Sequence, residues 1–264
     1  MIDIHCHILP GLDDGAKNME DAVAMCRMAM ADGIRTVVAT PHCRNGLYQN
    51  SEQTILPVLE QLEEHLKKES VDLELRPGAD IHIHPETIPF LRQNPRLLLG
   101  GRYFLLELPA QSIPPFTRDF IFESLLAGFI PIITHPERNT IIQGYWKGLE
   151  EWVKAGALVQ ITAMSLTGDF GGQIKETAFQ MVRMGMAHLI ATDAHSPRRR
   201  PPVLSQARKI LESFFGPEQA QAMVKEIPEK ILRGQTIDAP LLKMTPPVQK
   251  SFFKRMLGGY LNKK

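Results

Sequence analysis

Two histidines near the amino terminus occupy alternate positions of one predicted strand. Residues 2–8 alternate between apolar and polar side chains, with Ile4 and Cys6 on one face and His5 and His7 on the other. This is the two-residue period of a β-strand, in which same-face neighbours lie about 7 Å apart. Both imidazoles can therefore turn onto one cation, while the apolar face is expected to meet outer helices. Two strand histidines alone are weak support for a metal site.

Seven further nitrogen or oxygen donors stand at or just beyond other predicted strand ends. They are Asp14, His42, Asp80, Glu107, His135, Asp193 and His195. Glu107 lies in the apolar run 104–108, where a buried carboxylate without a partner costs several kcal/mol, so a cation nearby is the simplest explanation. The nine donors exceed what one ion can use. We therefore predict two or three cations, with Asp80 or Glu107 as bridging carboxylates.

The donor types favour hydrolytic chemistry. Imidazole and carboxylate without thiolate indicate manganese, iron or magnesium rather than structural zinc, and leave catalytic zinc open. Divalent cations lower the pKa of water from about 15.7 toward 7 and offset charge on phosphoryl oxygens. The cysteine-dependent phosphatase route needs Cys-x5-Arg, but Leu12, Asp32 and Gln49 follow the cysteines at that spacing. The donors thus predict a metal-dependent hydrolase, and the chain has no cysteine-dependent phosphatase motif.

The elements that must position these donors recur as helix, glycine, strand and polar terminus. In the first unit Asn18 caps a helix over 19–32, Gly33 ends it, and a strand follows over 34–40. Later units predict strands over 129–134, 157–162 and 186–192, with further strands over 73–81 and 103–108. Such units are typical of a parallel α/β barrel, whose active site lies at the carboxyl ends of the strands. Helical sequence then continues from Pro201 to about Gly234.

Composition limits the setting of this predicted barrel. Lys and Arg total 30 against 29 Asp and Glu, so no broad basic field favours a nucleic-acid partner. Cys6, Cys26 and Cys43 include no CxxC pair, and the start of the chain lacks the features of a signal peptide. No apolar run of about 18 residues is present to span a membrane. We expect a cytoplasmic protein with one domain over 1–237 and a basic, flexible tail over 238–264.

Four motifs carry a resemblance to a known superfamily. They are Asp3-Ile4-His5-Cys6-His7, Thr40-Pro41-His42, Thr134-His135-Pro136-Glu137-Arg138 and Asp193-Ala194-His195. They resemble those of the PHP (polymerase and histidinol phosphatase) superfamily. Two further regions closely resemble one group within it, the bacterial tyrosine-protein phosphatases of capsule and exopolysaccharide loci. They are Ile8-Leu9-Pro10-Gly11-Leu12-Asp13-Asp14-Gly15, and Gln160-Ile161-Thr162 with Gly168-Asp169-Phe170-Gly171. The resemblance covers roughly residues 1–235 and implies a distorted TIM-like (PHP) barrel, a manganese-preferring trinuclear site and membrane-linked tyrosine kinases as substrates.

The resemblance also implies how the ligands are shared. It assigns one ion to His5, His7 and Asp193, a second to Glu107 and His135, and a third to Asp14, His42 and His195. Residue 80 would bridge the first two ions, but the family usually has Glu where this chain has Asp80. A second departure is Cys43, where many relatives have histidine; we interpret it as a small buried neighbour.

Three more residues are candidates for catalysis. Arg138 and Arg200 are predicted to hold the phosphate, because a guanidinium fork matches two phosphoryl oxygens. Asp13 could assist as a general acid, although a phenolic leaving group, with a pKa of about 10, needs little such help. Histidinol-phosphate phosphatase, another small-molecule phosphomonoesterase and a non-catalytic metal-binding regulator remain the alternative functions.

The tail carries a separate hypothesis. Apolar residues recur in pairs every four positions among basic ones, namely Phe252, Phe253, Met256, Leu257, Tyr260 and Leu261. A basic amphipathic helix of this kind can lie on an anionic membrane surface, near a membrane-bound kinase. Gly258 and Gly259 interrupt the helix, which favours a flexible tail as the alternative.

Overall fold

The computed structural model describes residues 1–237. Strands within this range are short. They are β1 (Ile2–Cys6), β2 (Thr36–Ala39), β3 (His42–Cys43), β4 (Glu74–Pro77), β5 (Asp80–His82), β6 (Tyr103–Glu107), β7 (Ile130–Thr134), β8 (Leu158–Thr162) and β9 (Leu189–Ala191). The predictions for the membrane-binding helix and the flexible tail concern residues 238–264 and lie outside the described residues.

The strands form two sheets in which every pairing is parallel. One has the order β1-β2-β4 and the other β3-β5-β6-β7-β8-β9. An isolated bridge joins Cys6 to Ala194, and the His7 amide donates to the Ala194 carbonyl at 2.8 Å, so β1 also meets the segment after β9. The α/β class with parallel strands is confirmed. A closed barrel stays a prediction.

Helices lie between the strands and after the last of them. They are α1 (Met19–Ala31), α2 (Glu52–Lys68), α3 (Thr87–Gln93), α4 (Thr117–Leu126), α5 (Thr140–Gly144), α6 (Lys147–Ala155), α7 (Ala163–Thr167), α8 (Gly172–Arg183), α9 (Ser205–Phe215), α10 (Pro217–Gln221) and α11 (Ile227–Leu232). The capping prediction for α1 is confirmed, because the Asn18 side chain accepts from the Asp21 amide at 2.9 Å. Gly33 follows this helix with φ of 89°.

The strand predicted over 73–81 is interrupted, as is its neighbour. β4 ends at Pro77 and β5 begins at Asp80, while β2 and β3 are separated around Pro41. Proline has no N–H to give to a strand ladder, which favours a break at each position. The register continues unchanged across the break, since Ala39 pairs with Pro77 before it and His42 pairs with Asp80 after it. On its other side β5 pairs with β6, which places His82 opposite Glu107.

Alternate residues of the strands pack into two hydrophobic clusters. In β6, Tyr103 and Leu105 belong to a smaller cluster, and Phe104 and Leu106 to a larger one that includes helix residues. The alternation predicted for residues 2–8 is wrong in one respect. Ile4 joins the smaller cluster but Cys6 joins the larger, because the β1 register shifts between Asp3 and Cys6. Such irregularities re-aim side chains next to active sites.

No helix of the described residues is long and apolar enough to cross a bilayer.

Candidate metal centre

The predicted ligands come together from many separate elements. His5 lies in β1, His42 in β3 and Asp80 at the start of β5, while Glu107 ends β6, His135 follows β7, Asp193 and His195 follow β9, and His7 and Asp14 follow β1. The structure places these side chains in four overlapping groups whose donor atoms lie within 4.8 Å of one another. The groups are His7/Asp14/His42/His195, His5/His7/Asp193, His5/Asp80/His135 and His42/Asp80/Glu107. Every predicted metal ligand belongs to at least one group.

The pair His5 and His7 fits a cation closely. Nδ1 of His5 donates to Gln160 Oε1 at 2.8 Å, and Nδ1 of His7 donates to Asp13 Oδ2 at 2.6 Å. When both rings are neutral, each therefore presents Nε2 as an acceptor, and the two Nε2 atoms are 3.1 Å apart. They also lie 3.5 and 3.4 Å from Asp193 Oδ1. Two neutral rings with facing lone pairs beside a carboxylate are suited to a divalent cation, which would take the place of the proton that His7 holds in the metal-free protein.

Asp80 lies between two of the groups. Its Oδ2 atom is buried without a hydrogen-bond partner among the described residues, 3.6 Å from His5 Nε2 and 3.2 Å from His42 Nδ1. Glu107 approaches the same region, 3.4 Å from His42 Nδ1 and 3.9 Å from His135 Nε2. An unpaired buried carboxylate oxygen is costly. The Asp80 side chain, although shorter than glutamate, is placed where a bridging carboxylate would serve.

The third set opens toward solvent. Asp14 Oδ1 lies 3.6 Å from His42 Nε2 and 3.5 Å from His195 Nε2. The Asp14 side chain is 55% exposed, whereas His195 is 8% exposed. Nδ1 of His195 donates to the Asp193 carbonyl at 2.9 Å, which leaves Nε2 available as a ligand. Among the predicted ligands, Asp14 is therefore the most exposed to solvent.

Two of the predicted ligands have left-handed backbone conformations. His135 has φ of 37° and Asp193 has φ of 51°, values that residues other than glycine seldom adopt. Hydrogen bonds hold both: the His135 amide donates to the Gln160 carbonyl and the Asp193 amide to the His5 carbonyl, each at 2.8 Å. Strain of this kind persists where the surroundings over-determine it, most often at functional sites.

Burial and neighbouring charges shift the pKa values of the histidines in different directions. Burial, followed by Arg138, lowers the pKa of His135 to about 4, and burial followed by His7 lowers that of His195. Burial alone would lower the pKa of His42, but Asp80 and Glu107 raise it to about 11. Metal ligation requires a neutral imidazole. His135 and His195 therefore already have the form that a cation binds.

Arg138 and Arg200 meet at one carboxylate oxygen. Arg138 Nη1 donates to Asp193 Oδ2 at 2.5 Å, and Arg200 Nη2 donates to the same atom. Their side chains are 30% and 23% exposed, so both guanidinium groups are partly open to solvent beside the predicted ligand. The structure thus brings the two predicted phosphate holders together beside the donor groups.

Asp13 is occupied as an acceptor. Besides His7, its carboxylate accepts from the His42 amide and the Gly15 amide, each at 2.9 Å. Burial opposes ionisation, but the bond with His7 and these amides hold the pKa of Asp13 well below its usual range. A carboxylate that stays ionised cannot donate a proton. The geometry therefore favours an orienting role for Asp13 instead of the predicted general acid.

Comparison with known proteins identifies the family. The profile described as capsular polysaccharide synthesis, CpsB/CapC, matches residues 1–233. The chain belongs to the CpsB/CapC family.

Two curated relatives and one solved structure support this CpsB/CapC assignment. Tyrosine-protein phosphatase YwqE of Bacillus subtilis is 40% identical over 238 residues, covering 90% of this chain and 93% of YwqE. Tyrosine-protein phosphatase CpsB of Streptococcus pneumoniae is 29% identical over 243 residues, covering 90% of this chain and 100% of CpsB. A chain from the structures of YwqE and CpsB, described there as unique metal-dependent tyrosine phosphatases, matches with a TM-score of 0.85 and 38% identity, covering 95% of this chain and 100% of that one.

Sequence reasoning gave no role to three residues that shape the site of this CpsB/CapC protein. Gln160 orients His5, and its signal is a glutamine within an otherwise apolar strand. Glu137 Oε1 accepts from the Thr162 amide at 2.9 Å and from the hydroxyl of Ser165 at 2.6 Å, which ties the residue before Arg138 to the start of α7. Tyr48 lies parallel to the His42 ring, with centroids 6.2 Å apart; nothing in its sequence neighbourhood indicated this.

Proposed function

We propose that this CpsB/CapC protein is a metal-dependent phosphatase that hydrolyses phosphotyrosine on proteins. One observation carries the proposal: clustered imidazole and carboxylate donors lie beside two guanidinium groups that converge on Asp193. The donors suit divalent cations, and the guanidinium groups suit a phosphoryl group. This chain aligns with nearly the whole length of the relatives named tyrosine-protein phosphatases, which supports phosphotyrosine as the substrate class.

We also propose the cation content. Three divalent ions would be shared as follows: His5, His7 and Asp193 on one, Glu107 and His135 on a second, Asp14, His42 and His195 on a third, and Asp80 between the first two. The mixture of carboxylate oxygens and imidazoles favours manganese, with iron, magnesium or zinc as alternatives. The groups formed by His5/His7/Asp193 and by His7/Asp14/His42/His195 support the first and third assignments.

The residues of the candidate metal centre would have different roles in the reaction. When bound, the cations would lower the pKa of water and offset charge on the phosphoryl oxygens. Gln160 and Asp13 fix the ring orientation of His5 and His7. Arg138 and Arg200 would hold phosphoryl oxygens through paired N–H groups and so orient the phosphorus for in-line attack. A tyrosyl leaving group, with a pKa of about 10, departs without help from Asp13.

The biological setting is part of the same proposal. The family description names capsular polysaccharide synthesis, and we infer that the substrate is a phosphotyrosyl protein of that process, such as a membrane-linked bacterial tyrosine kinase. A cytoplasmic location is supported by Cys6, Cys26 and Cys43, which are all buried and free. We further infer a distorted barrel over 1–237, supported by the bridge between Cys6 and Ala194.

The test is hydrolysis by the purified full chain. After chelation, addition of Mn²⁺ should restore phosphate release from a phosphotyrosyl peptide, with much less release from a phosphoseryl peptide or histidinol phosphate. Glu107→Gln should abolish the activity, because it removes a predicted ligand. Glu150→Gln is the matched control, since Glu150 is an exposed partner of Lys154 on α6. Metal-independent hydrolysis, or a preference for histidinol phosphate, would contradict the proposal.

A further inference from the structure

One aromatic ring lies against both arginines of the site. The centroid of the Phe170 ring is 5.0 Å from Arg138 Cζ and 5.8 Å from Arg200 Cζ. Phe170 is only partly buried, and it belongs to neither hydrophobic cluster of the described chain. Packing in the core therefore does not account for a phenyl ring at this position.

The backbone presents this ring from a tight connection between α7 and α8. The Gly168 amide donates to the Met164 carbonyl at 3.1 Å, and the Gly171 amide donates to the Gly168 carbonyl at 2.9 Å. Gly168 and Gly171 both have φ of 98°, a conformation that glycine adopts without strain. The ring of Phe170 is thus carried by a constrained turn with defined hydrogen bonds, so its place beside the arginines is specified by the fold.

The chemistry of an aryl phosphate makes this placement informative. Only the ester oxygen separates phosphorus from the ring of phosphotyrosine, so a phosphate held by Arg138 and Arg200 brings the substrate ring close to whatever lines those arginines. Aromatic pairs are favourable at centroid distances of about 4.5–7 Å in offset or edge-to-face arrangements. Phosphoserine and phosphothreonine offer no ring for such a contact.

We propose that Phe170 is a specificity-determining residue that packs against the aryl ring of the substrate and favours phosphotyrosine over alkyl phosphates. This inference rests on the proposed phosphatase function and names the residue that reads the leaving group. A different role for the same ring would be to support the two guanidinium groups. If Phe170 only supports the guanidinium groups, its replacement should lower the affinity for every phosphate ligand equally. If it recognises the aryl group, the loss of affinity should be confined to ligands with a ring.

The experiment measures binding separately from turnover. Phenylphosphonate and methylphosphonate are titrated by calorimetry into the Mn²⁺-loaded full chain, as wild type, Phe170→Leu and Phe170→Tyr. Phe122→Leu is the matched control, because Phe122 also has an arginine over its ring, Arg118 at 5.8 Å, but lies on the outer helix α4 and is 42% exposed. Thermal unfolding of each variant verifies that it folds.

Phe170→Leu should weaken the binding of phenylphosphonate about 2- to 10-fold, the range for one aromatic pair, and leave the affinity for methylphosphonate unchanged. Phe170→Tyr should restore the phenylphosphonate affinity, and Phe122→Leu should alter neither ligand. Equal weakening of both ligands, or no change in phenylphosphonate, overturns the inference. Failure of the proposed function is a separate result, seen as lack of phosphotyrosyl peptide hydrolysis by the wild-type protein.

Discussion

Replacing Asp13 with asparagine tests how the site holds its histidines. The Asp13 carboxylate accepts three hydrogen bonds, from His7 Nδ1 at 2.6 Å and from the His42 and Gly15 amides at 2.9 Å. An amide offers one acceptor oxygen and one NH₂ group. Asparagine must therefore set its NH₂ against at least one of these donors, and it also removes the negative charge beside His7.

The expected magnitude follows from the role of such partners. Losing a carboxylate that orients a metal-binding histidine costs roughly 10- to 100-fold in metal affinity, or about 1.4 to 2.8 kcal/mol. Asp13→Asn should therefore need 10–100 times more Mn²⁺ for half-maximal activity. Because Asp13 does not protonate the leaving group in this account, saturating Mn²⁺ should recover most of kcat.

The assay is steady-state hydrolysis across a Mn²⁺ titration, with substrates whose leaving groups differ in pKa. An orienting residue predicts the same relative loss for p-nitrophenyl phosphate and for a phosphotyrosyl peptide. A general acid predicts a larger loss for the peptide, whose phenol is the poorer leaving group, at every metal concentration. That second pattern would refute the orienting role and reinstate the proton donor predicted from the sequence.

Three other perturbations have defined outcomes. Arg138→Lys keeps the charge but loses the planar guanidinium. Inhibition by inorganic phosphate should therefore weaken, while the metal content measured by elemental analysis stays unchanged. A parallel loss of metal would show that the pairing of Arg138 with Asp193 is structural. Glu137→Ala should lower the free energy of unfolding by about 1–3 kcal/mol for each donor left unsatisfied. Glu137→Gln should lower it less, since glutamine keeps an acceptor for the Thr162 amide. Equal denaturation midpoints for the two variants would contradict this. Burial alone would lower the pKa of His7, but Asp13 and Asp193 raise it to about 9. Before a cation binds, the His7 ring is therefore positively charged at pH 7.5. Metal binding must displace that proton and the one on His42, whose pKa is raised to about 11, so metal affinity should rise with pH throughout the neutral range. Calorimetry in two buffers of different ionisation enthalpy measures the proton release, and pH-independent affinity between pH 6 and 8 would contradict it.

Much of the site could be predicted because its donors follow simple local patterns. Glycine ends α1 and an N-cap begins it, so the start of β2 and the position of His42 follow from nearby residues. Glu107 stands out as a carboxylate at the end of the apolar strand β6. Parallel strands bring such ends together whatever the tertiary detail, which is why the proximity of these donors could be predicted without coordinates.

The remaining features depend on contacts between distant segments. Proline was visible at positions 41 and 77, but the paired break of two neighbouring strands depends on their being adjacent. The register shift in β1 likewise depends on pairing with β2. The role of Asp13 depends on the His42 amide, 29 residues away in sequence. Periodicity describes one strand at a time and carries no information on such pairings.

Anomalous diffraction from crystals of the full chain grown with Mn²⁺ tests the central claim most directly. We expect three manganese peaks, with Asp80 between the first two. They should lie within bonding distance of His5, His7 and Asp193, of Glu107 and His135, and of Asp14, His42 and His195. Glu107→Gln crystals should lose the second peak. Manganese bound elsewhere, or no peak among these side chains at saturating Mn²⁺, would contradict the assignment of this cluster as the metal centre of a phosphatase.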